Sequence, residues 1–173
     1  MIIDTIIRKI FSILEGRKWK STYDMFRKKY NISTSFRFVG LGINIYGDGQ
    51  FFAGENSYMG SNCSIQVGKD NVCKIGNNCR LASNVRIYTV SVNADNNLDV
   101  NPFDKSLNSK KTGDVIIGNG VWLGANVFIN PGITIGNNVV VGANSVVTKN
   151  LVENGIYGGV PAKLIRKKSN SIE

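Results

Sequence analysis

Ile117-Gly118-Asn119-Gly120-Val121-Trp122 is followed without a gap by Leu123-Gly124-Ala125-Asn126-Val127-Phe128, and then by units opening at Ile129, Ile135, Val141 and Val147. Each six-residue unit begins with an aliphatic residue, often with glycine next (Gly118, Gly124, Gly136, Gly142). The fourth place holds Gly120, Asn126, Gly132, Asn138, Asn144 and Asn150, and the fifth is usually small or aliphatic. The same step recurs upstream in units opening at Ile75 and Leu81, and more loosely from Leu41, Gly47, Ala53 and Met59. There the fourth place is Asn44, Gln50, Asn56, Asn62, Asn78 and Asn84, with Gln50 the exception. Asn and Gly are the residues that tolerate left-handed backbone. A corner with positive φ once per six residues explains the set. Each unit then reads as a short strand and a tight corner, its first and fifth side chains inward. One unit cannot bury its own apolar face, but stacked units share a continuous core laced by parallel ladders. That is a β-solenoid. The period leaves the hand of its coil open.

Working outward, the repeat breaks twice. The shorter break, at 67–74, suggests a small bulge. The longer one, between Ile87 and Val115, is polar and aperiodic, and the solenoid resumes in register after it. A loop of more than ~15 residues inside a compact array is usually functional or disordered, and the preserved register favours function. Upstream, Ile3, Ile6, Ile7, Ile10, Phe11 and Leu14 fall at helical spacing and predict an amphipathic helix over 2–14, ended by Gly16. A second helical piece is expected over 19–29, with Trp19, Tyr23 and Phe26 on one face. The expected role of the apolar stripe is to cap the coil end; the alternative is an interfacial membrane helix with basic flanks. The boundaries read as a helical cap over 1–38, a coil over 39–160 with an excursion at about 89–113, and a basic tail over 161–173.

Composition agrees with this division. At ~100–200 residues per domain, 173 residues make one domain with an appendage. The chain has 20 Ile, 17 Val and 22 Asn but only 8 Leu, which favours strands and turns over a helical bundle. It has no histidine, which excludes an imidazole base or zinc ligand. Cys63, Cys73 and Cys79 make no metal-binding spacing, and with no signal sequence recognisable at the start they suggest a reducing compartment. The formal charge of +9 gathers at the ends. Nucleic acid is not the expected partner, because the solenoid strings show no aromatic residues interleaved with basic ones.

Four strings carry a resemblance: Gly120-Val121-Trp122-Leu123-Gly124, Asn130-Pro131-Gly132-Ile133-Thr134-Ile135-Gly136, Gly142-Ala143-Asn144-Ser145-Val146-Val147-Thr148-Lys149, and Gly158-Gly159-Val160-Pro161-Ala162-Lys163-Leu164-Ile165-Arg166. Together they resemble the bacterial hexapeptide-repeat acyltransferases, nearest the sugar and polysaccharide acetyltransferases. The resemblance implies an all-β, left-handed parallel β-helix, a homotrimer, and acetyl-CoA in a groove between subunits, with no metal. Matched residue by residue, it implies that Gly124, Ala125, Gly142 and Ala143 line the groove with backbone. Thr148 and Lys149 would lie along the pantetheine and phosphates, and Lys163 and Arg166 would meet the nucleotide phosphates. Asn62 matches a residue of the acceptor pocket. Trp122 would stack near the cofactor or pack at the trimer contact.

One departure bears on the chemistry. The segment Ile87-Tyr88-Thr89-Val90-Ser91-Val92 resembles one that carries the family's catalytic histidine, and Val92 stands in its place. A sugar hydroxyl needs a positioned base, whereas a neutral amine is already nucleophilic. The expectation is therefore N-acetylation of a nucleotide-linked amino sugar for surface polysaccharide, with Asp95 and Asn93 orienting the amine. The alternatives are O-acetylation with Asp95 as base, and an inactive trimeric scaffold. The expected location is the cytoplasm, with residues 1–30 touching the inner membrane surface.

Overall fold

The structure, a computed structural model, describes residues 2–169 apart from Leu98, Lys105 and Asn108. It is a left-handed parallel β-helix of about 5 turns behind one long helix. Three sheets form the walls of a triangular prism. Sheet A stacks Asn31–Ile32, Gln50–Ala53, Val72–Ile75, Val115–Ile117 and Thr134–Ile135. Sheet B stacks Arg37–Phe38, Tyr58–Met59, Arg80–Leu81, Trp122–Leu123, Val140–Val141 and Gly155–Gly158, and sheet C stacks Asn44–Tyr46, Ser64–Gln66, Arg86–Tyr88, Phe128–Ile129 and Val146–Val147. The chain passes A to B to C in every turn. The first rung lies ahead of residue 39, where the hexapeptide pattern becomes readable.

The inward columns are those the period marks. First-place Ile117, Leu123, Ile129, Ile135, Val141 and Val147 are buried, as are fifth-place Val121, Val127, Ile133, Val139, Ser145 and Leu151. Burying a Val, Leu or Ile side chain stabilises by ~1.5–3 kcal/mol, so every rung adds its own share of core. Corners with positive φ fall at Asn56, Asn62, Asn78, Asn84, Gly120, Asn126, Gly132, Asn138 and Asn144. Asn44 and Asn150 do not have it. Gly42 and Asn154 take the left-handed position instead. The reason at the end of the coil is a shortened turn. Phe128 pairs with Val146, three full units further along the chain. Ile135 instead bridges Leu151, and Val141 pairs with Tyr157, each falling short of three units by a pair of residues. The unit opening at Val147 therefore satisfies the pattern without being a regular unit.

Two further expectations change. The two predicted helical pieces are one α-helix, α1, running Ile2–Lys29 straight through Gly16. A helical glycine costs ~1 kcal/mol relative to alanine, which is too little to break a helix of this length. Its second half caps the coil: Tyr23 stacks on Phe38 at 4.5 Å, the Tyr23 hydroxyl donates to Gly40 O, and Arg27 donates to the carbonyls of Ser33 and Phe36. The stripe from Ile3 to Leu14, expected to cover the core, is exposed. The described part of the basic tail is also structured. Lys163–Lys167 is an antiparallel strand on Gly155–Gly158 at the end of sheet B.

The excursion is an arm. Arg86 and Phe128 are neighbours in sheet C, so the whole excursion is inserted within a single turn of the coil. Val90–Val92 and Lys110–Thr112 form its antiparallel stem. Thr89, fully buried, pins the root: its Oγ1 accepts from Gly68 N at 2.8 Å and its carbonyl from Gly113 N at 3.0 Å. Lys105, within the basic part of this loop, lies outside the described residues.

Candidate functional site

The prism has three edges, and two are built from similar corners with one chemical difference. At the A–B edge the third place is occupied by Asn77, Asn119 and Asn137. Each side-chain oxygen accepts from the third-place N–H of the turn before: Glu55 N to Asn77 Oδ1 at 2.8 Å, Asn77 N to Asn119 Oδ1 at 2.8 Å, and Asn119 N to Asn137 Oδ1 at 2.7 Å. That edge is closed on itself as far as Asn119 N–H, while the N–H of Asn137 finds no acceptor among the described residues. At the B–C edge the same places are Ser61, Ser83, Ala125 and Ala143, and the amides of Ala125 and Ala143 find no acceptor among the described residues. A backbone N–H is an obligatory donor, so this edge presents a file of donors to whatever lies along it.

Second-place glycines at both edges let the turns stack, Gly54, Gly76, Gly118 and Gly136 at the A–B edge and Gly124 here. A Cβ on Gly124 would lie 2.5 Å from Ala143 N and 3.0 Å from Gly142 C, so turns stack there with no room for a side chain. Beside this floor runs a ladder of amides: Asn84 Nδ2 donates to Asn126 Oδ1 at 2.6 Å and Asn126 Nδ2 to Asn144 Oδ1 at 2.8 Å. Asn62 stands below them, at φ +58, as the corner residue of its own turn. The coil end folds over the top: Gly159 N donates to Ser145 Oγ and Ala162 N to Val146 O. This sets Lys163, paired with Gly158, two strands above Gly142 in sheet B. Arg166, opposite Ile156 on the same strand, is exposed.

The structure thus brings Asn62, Gly124, Ala125, Gly142, Ala143 and Lys163 to one edge, with Arg166 farther along the strand of Lys163. It does not bring Thr148, Lys149, Asn93 or Asp95 there. Thr148 and Lys149 follow Val146–Val147 and sit exposed at the C–A edge. The arm leaves from that edge too, so sheet C separates the two groups within one chain.

On the arm, Asn93 is a fastener. Its N–H donates to Ser109 O, its Nδ2 to Ser109 Oγ at 3.2 Å, and its Oδ1 accepts from Asp95 N at 3.2 Å. Asp95 is exposed, and its carboxylate has no partner among the described residues. Val92, also exposed, pairs with Lys110.

Other groups divide between core and surface. The three thiols are free and buried, and burial pushes Cys63 up to about 11 and raises Cys73 and Cys79 as well. They are core. On the outer face of sheet C, burial first and then the neighbouring Tyr88 raise the Tyr46 phenol above its ordinary value, against the opposing effects of Ser64 and Arg86. On the outer face of sheet B the register makes Arg37, Tyr58, Arg80 and Trp122 successive partners. Cations and aromatic rings do interleave there, although no string of the sequence shows it, because each partner lies a full turn of the coil from the next. A concavity of about 750 Å³ lies between α1 and the first rung, lined by Trp19, Tyr23, Arg37 and Leu41 among others. Val39, Gly40 and Leu41 place it at the first-turn end of the B–C edge, three turns of the coil from Ala125.

Residues 114–149 match the family model for the bacterial transferase hexapeptide (six repeats). The galactoside O-acetyltransferase of Escherichia coli K12 is 35% identical over 126 residues, 68% of this chain and 57% of its own length. The chain therefore spans little more than half of that relative. A maltose O-acetyltransferase from Clostridium difficile 630 superposes with a TM-score of 0.58 at 30% identity, covering 94% of this chain and 84% of the other. An N-acyltransferase from Bacillus cereus, solved with dTDP and 3-hydroxybutyryl-CoA, superposes with a TM-score of 0.68 at 24% identity over 80% of this chain and 79% of that one, a likeness of fold.

Proposed function

The chain belongs to the bacterial hexapeptide-repeat acyltransferases, and we propose that within that family it transfers an acetyl group from acetyl-CoA to a sugar, by preference the amine of a nucleotide-linked amino sugar for surface polysaccharide. The observation that carries the reading is the B–C edge. A pantetheine arm is thin, extended and rich in amide carbonyls. The free N–H groups of Ala125 and Ala143 supply donors for such carbonyls, and their methyl side chains, where the A–B edge carries asparagines, leave the arm room to approach. Lys163 and Arg166 at the coil end supply the charge that phosphate groups require. The fit is one of donor set and shape, and it calls for no metal.

In this reading the site is completed by a second copy of the chain. Sheet C separates the B–C edge from the arm, so Asp95 and Asn93 meet the acyl donor only when a neighbour brings its arm across. Three such contacts close a ring, which is the homotrimer. Asn93 then sets the arm tip, and the unpaired Asp95 carboxylate holds and orients the amine of the acceptor. The amine nitrogen attacks the thioester carbonyl, the C–S bond breaks, and the leaving thiolate takes up the proton that the new amide loses. A backbone N–H of the coil binds the oxyanion. The three buried free thiols support a cytoplasmic location.

A second reading, O-acetylation, has the unpaired Asp95 carboxylate in its favour as a base. Thiol release from acetyl-CoA, measured with amino and hydroxyl nucleotide-linked sugars, separates the two. The favoured reading expects turnover of an amine, rising with pH and surviving Asp95→Asn. Turnover of hydroxyl sugars alone, abolished in Asp95→Asn, refutes it.

A further inference from the structure

Helix α1 carries two apolar faces that point in opposite directions. Successive residues of an α-helix are about 100° apart. Trp19, Tyr23, Phe26 and Tyr30 then share an arc of about 60°, and that arc is seated on the coil. Ile3, Ile6, Ile7, Ile10, Phe11 and Leu14, with Ile13 at the margin, share an arc of about 160° centred about 170° away. The first half of the helix therefore turns its apolar side away from its own domain. Ile3 is 71% and Phe11 68% exposed. A free helix of this length is marginal in water, so this half needs a second surface to lie on.

The width of the face and the charge around it identify that surface. Association of helices through a coiled-coil seam uses a narrow stripe and would leave the flanks of so broad a face wet, whereas a bilayer interface covers a broad face along its whole length. Arg8 and Lys9 lie on the polar arc. Arg17, Lys18 and Lys20 follow one turn beyond Leu14, where long side chains reach past apolar surface to headgroups. Against these five cations stand Asp4 and Glu15. Among the described residues no helix is long and apolar enough to cross a membrane. We propose that the first half of α1 lies in the plane of an anionic lipid surface, apolar face down, and holds the coil against it. This inference is independent of the acyltransferase reading.

The test is flotation of the full chain with vesicles of phosphatidylcholine alone and of phosphatidylcholine with an equal part of phosphatidylglycerol. The expected result is binding to the anionic vesicles, at least about tenfold weaker to the neutral ones, and released as salt rises. Ile7→Asp with Ile10→Asp, both exposed in the structure, should lower vesicle binding at least about a hundredfold and leave the coil's unfolding transition in place. Arg8→Glu with Lys9→Glu keeps the apolar face and should weaken only the anionic preference. Failure to float with anionic vesicles overturns the proposal, as does flotation that the aspartate pair leaves unchanged. Self-association lost in the aspartate pair, without vesicle binding, makes a second copy the occupant and overturns it too.

Discussion

Replacing Asn138 by valine isolates what the corner positions do. Asn138 sits at φ +57. Its amide donates to Asn119 O at 2.8 Å, its Nδ2 to Asn154 Oδ1 at 2.9 Å, and its Oδ1 accepts from Lys168 Nζ. Valine keeps the backbone donor but takes on left-handed strain of ~1–2 kcal/mol. It also loses two exposed side-chain hydrogen bonds, at ~0.5 kcal/mol each, the low end for such bonds. The sum is ~2–3 kcal/mol, or ~4–12 °C in melting temperature for a chain of this size. Asn138→Gly removes the same bonds without the strain and should cost ~1 kcal/mol. Asn150→Val is the decisive control. Asn150 matches the sequence pattern equally well, but its backbone is not left-handed and its side chain makes one bond, accepting from Thr134 N at 2.8 Å. It should cost ~1 kcal/mol. Urea unfolding of the three variants at one protein concentration measures all of this. Equal costs for valine at 138 and 150, or a glycine at 138 as harmful as valine, would refute the corner assignment.

Other outcomes follow from the site and the core. Ala143→Asn should copy the A–B edge onto the B–C edge, seating a side-chain oxygen on Ala125 N–H; stability should hold or rise by ~0.5–1 kcal/mol while calorimetry shows acetyl-CoA affinity falling at least about tenfold. Lys163→Ala and Arg166→Ala should each weaken CoA binding, and the one nearer the 3′-phosphate should weaken CoA more than dephospho-CoA in parallel titrations. Cys63 holds its proton up to about 11 in the fold, whereas an unfolded thiol loses it near ~8.5. The folded chain thus binds more protons in that window. Stability should be complete below ~pH 8.5 and fall as pH rises toward 11, by up to ~3 kcal/mol from Cys63, and the fall in urea midpoints across that range should be smaller by that share in Cys63→Ala, with the remainder carried by Cys73 and Cys79.

The coil was legible because its period repeats a physical requirement, a left-handed corner and two inward side chains, in every unit. The same regularity misleads at Val147, where the unit obeys the pattern although the turn has been shortened. Gly16 reads as a helix end, yet its small cost is outweighed by the 28-residue helix around it. The orientation of the Ile3 to Leu14 stripe was hidden until Trp19, Tyr23 and Phe26 were fixed to the coil on the opposite side. The open B–C edge was present in the letters, as Ala125 and Ala143 against Asn119 and Asn137. It has meaning only once these residues are assigned to different edges. The stack of Arg37, Tyr58, Arg80 and Trp122 depends on strand register between successive turns, one of them interrupted by the whole arm, which no local reading supplies. The arm was visible as a gap, but its Asn93–Ser109 fastening was not.

Titration of the intact chain with acetyl-CoA in a calorimeter, repeated with Ala143→Asn, tests the central claim most directly. The account predicts saturable binding at one site per chain, strongly reduced in the variant although it folds as well as the original. No heat at millimolar acetyl-CoA would contradict it and leave the coil a scaffold. Binding that Ala143→Asn does not weaken would move the site away from the B–C edge.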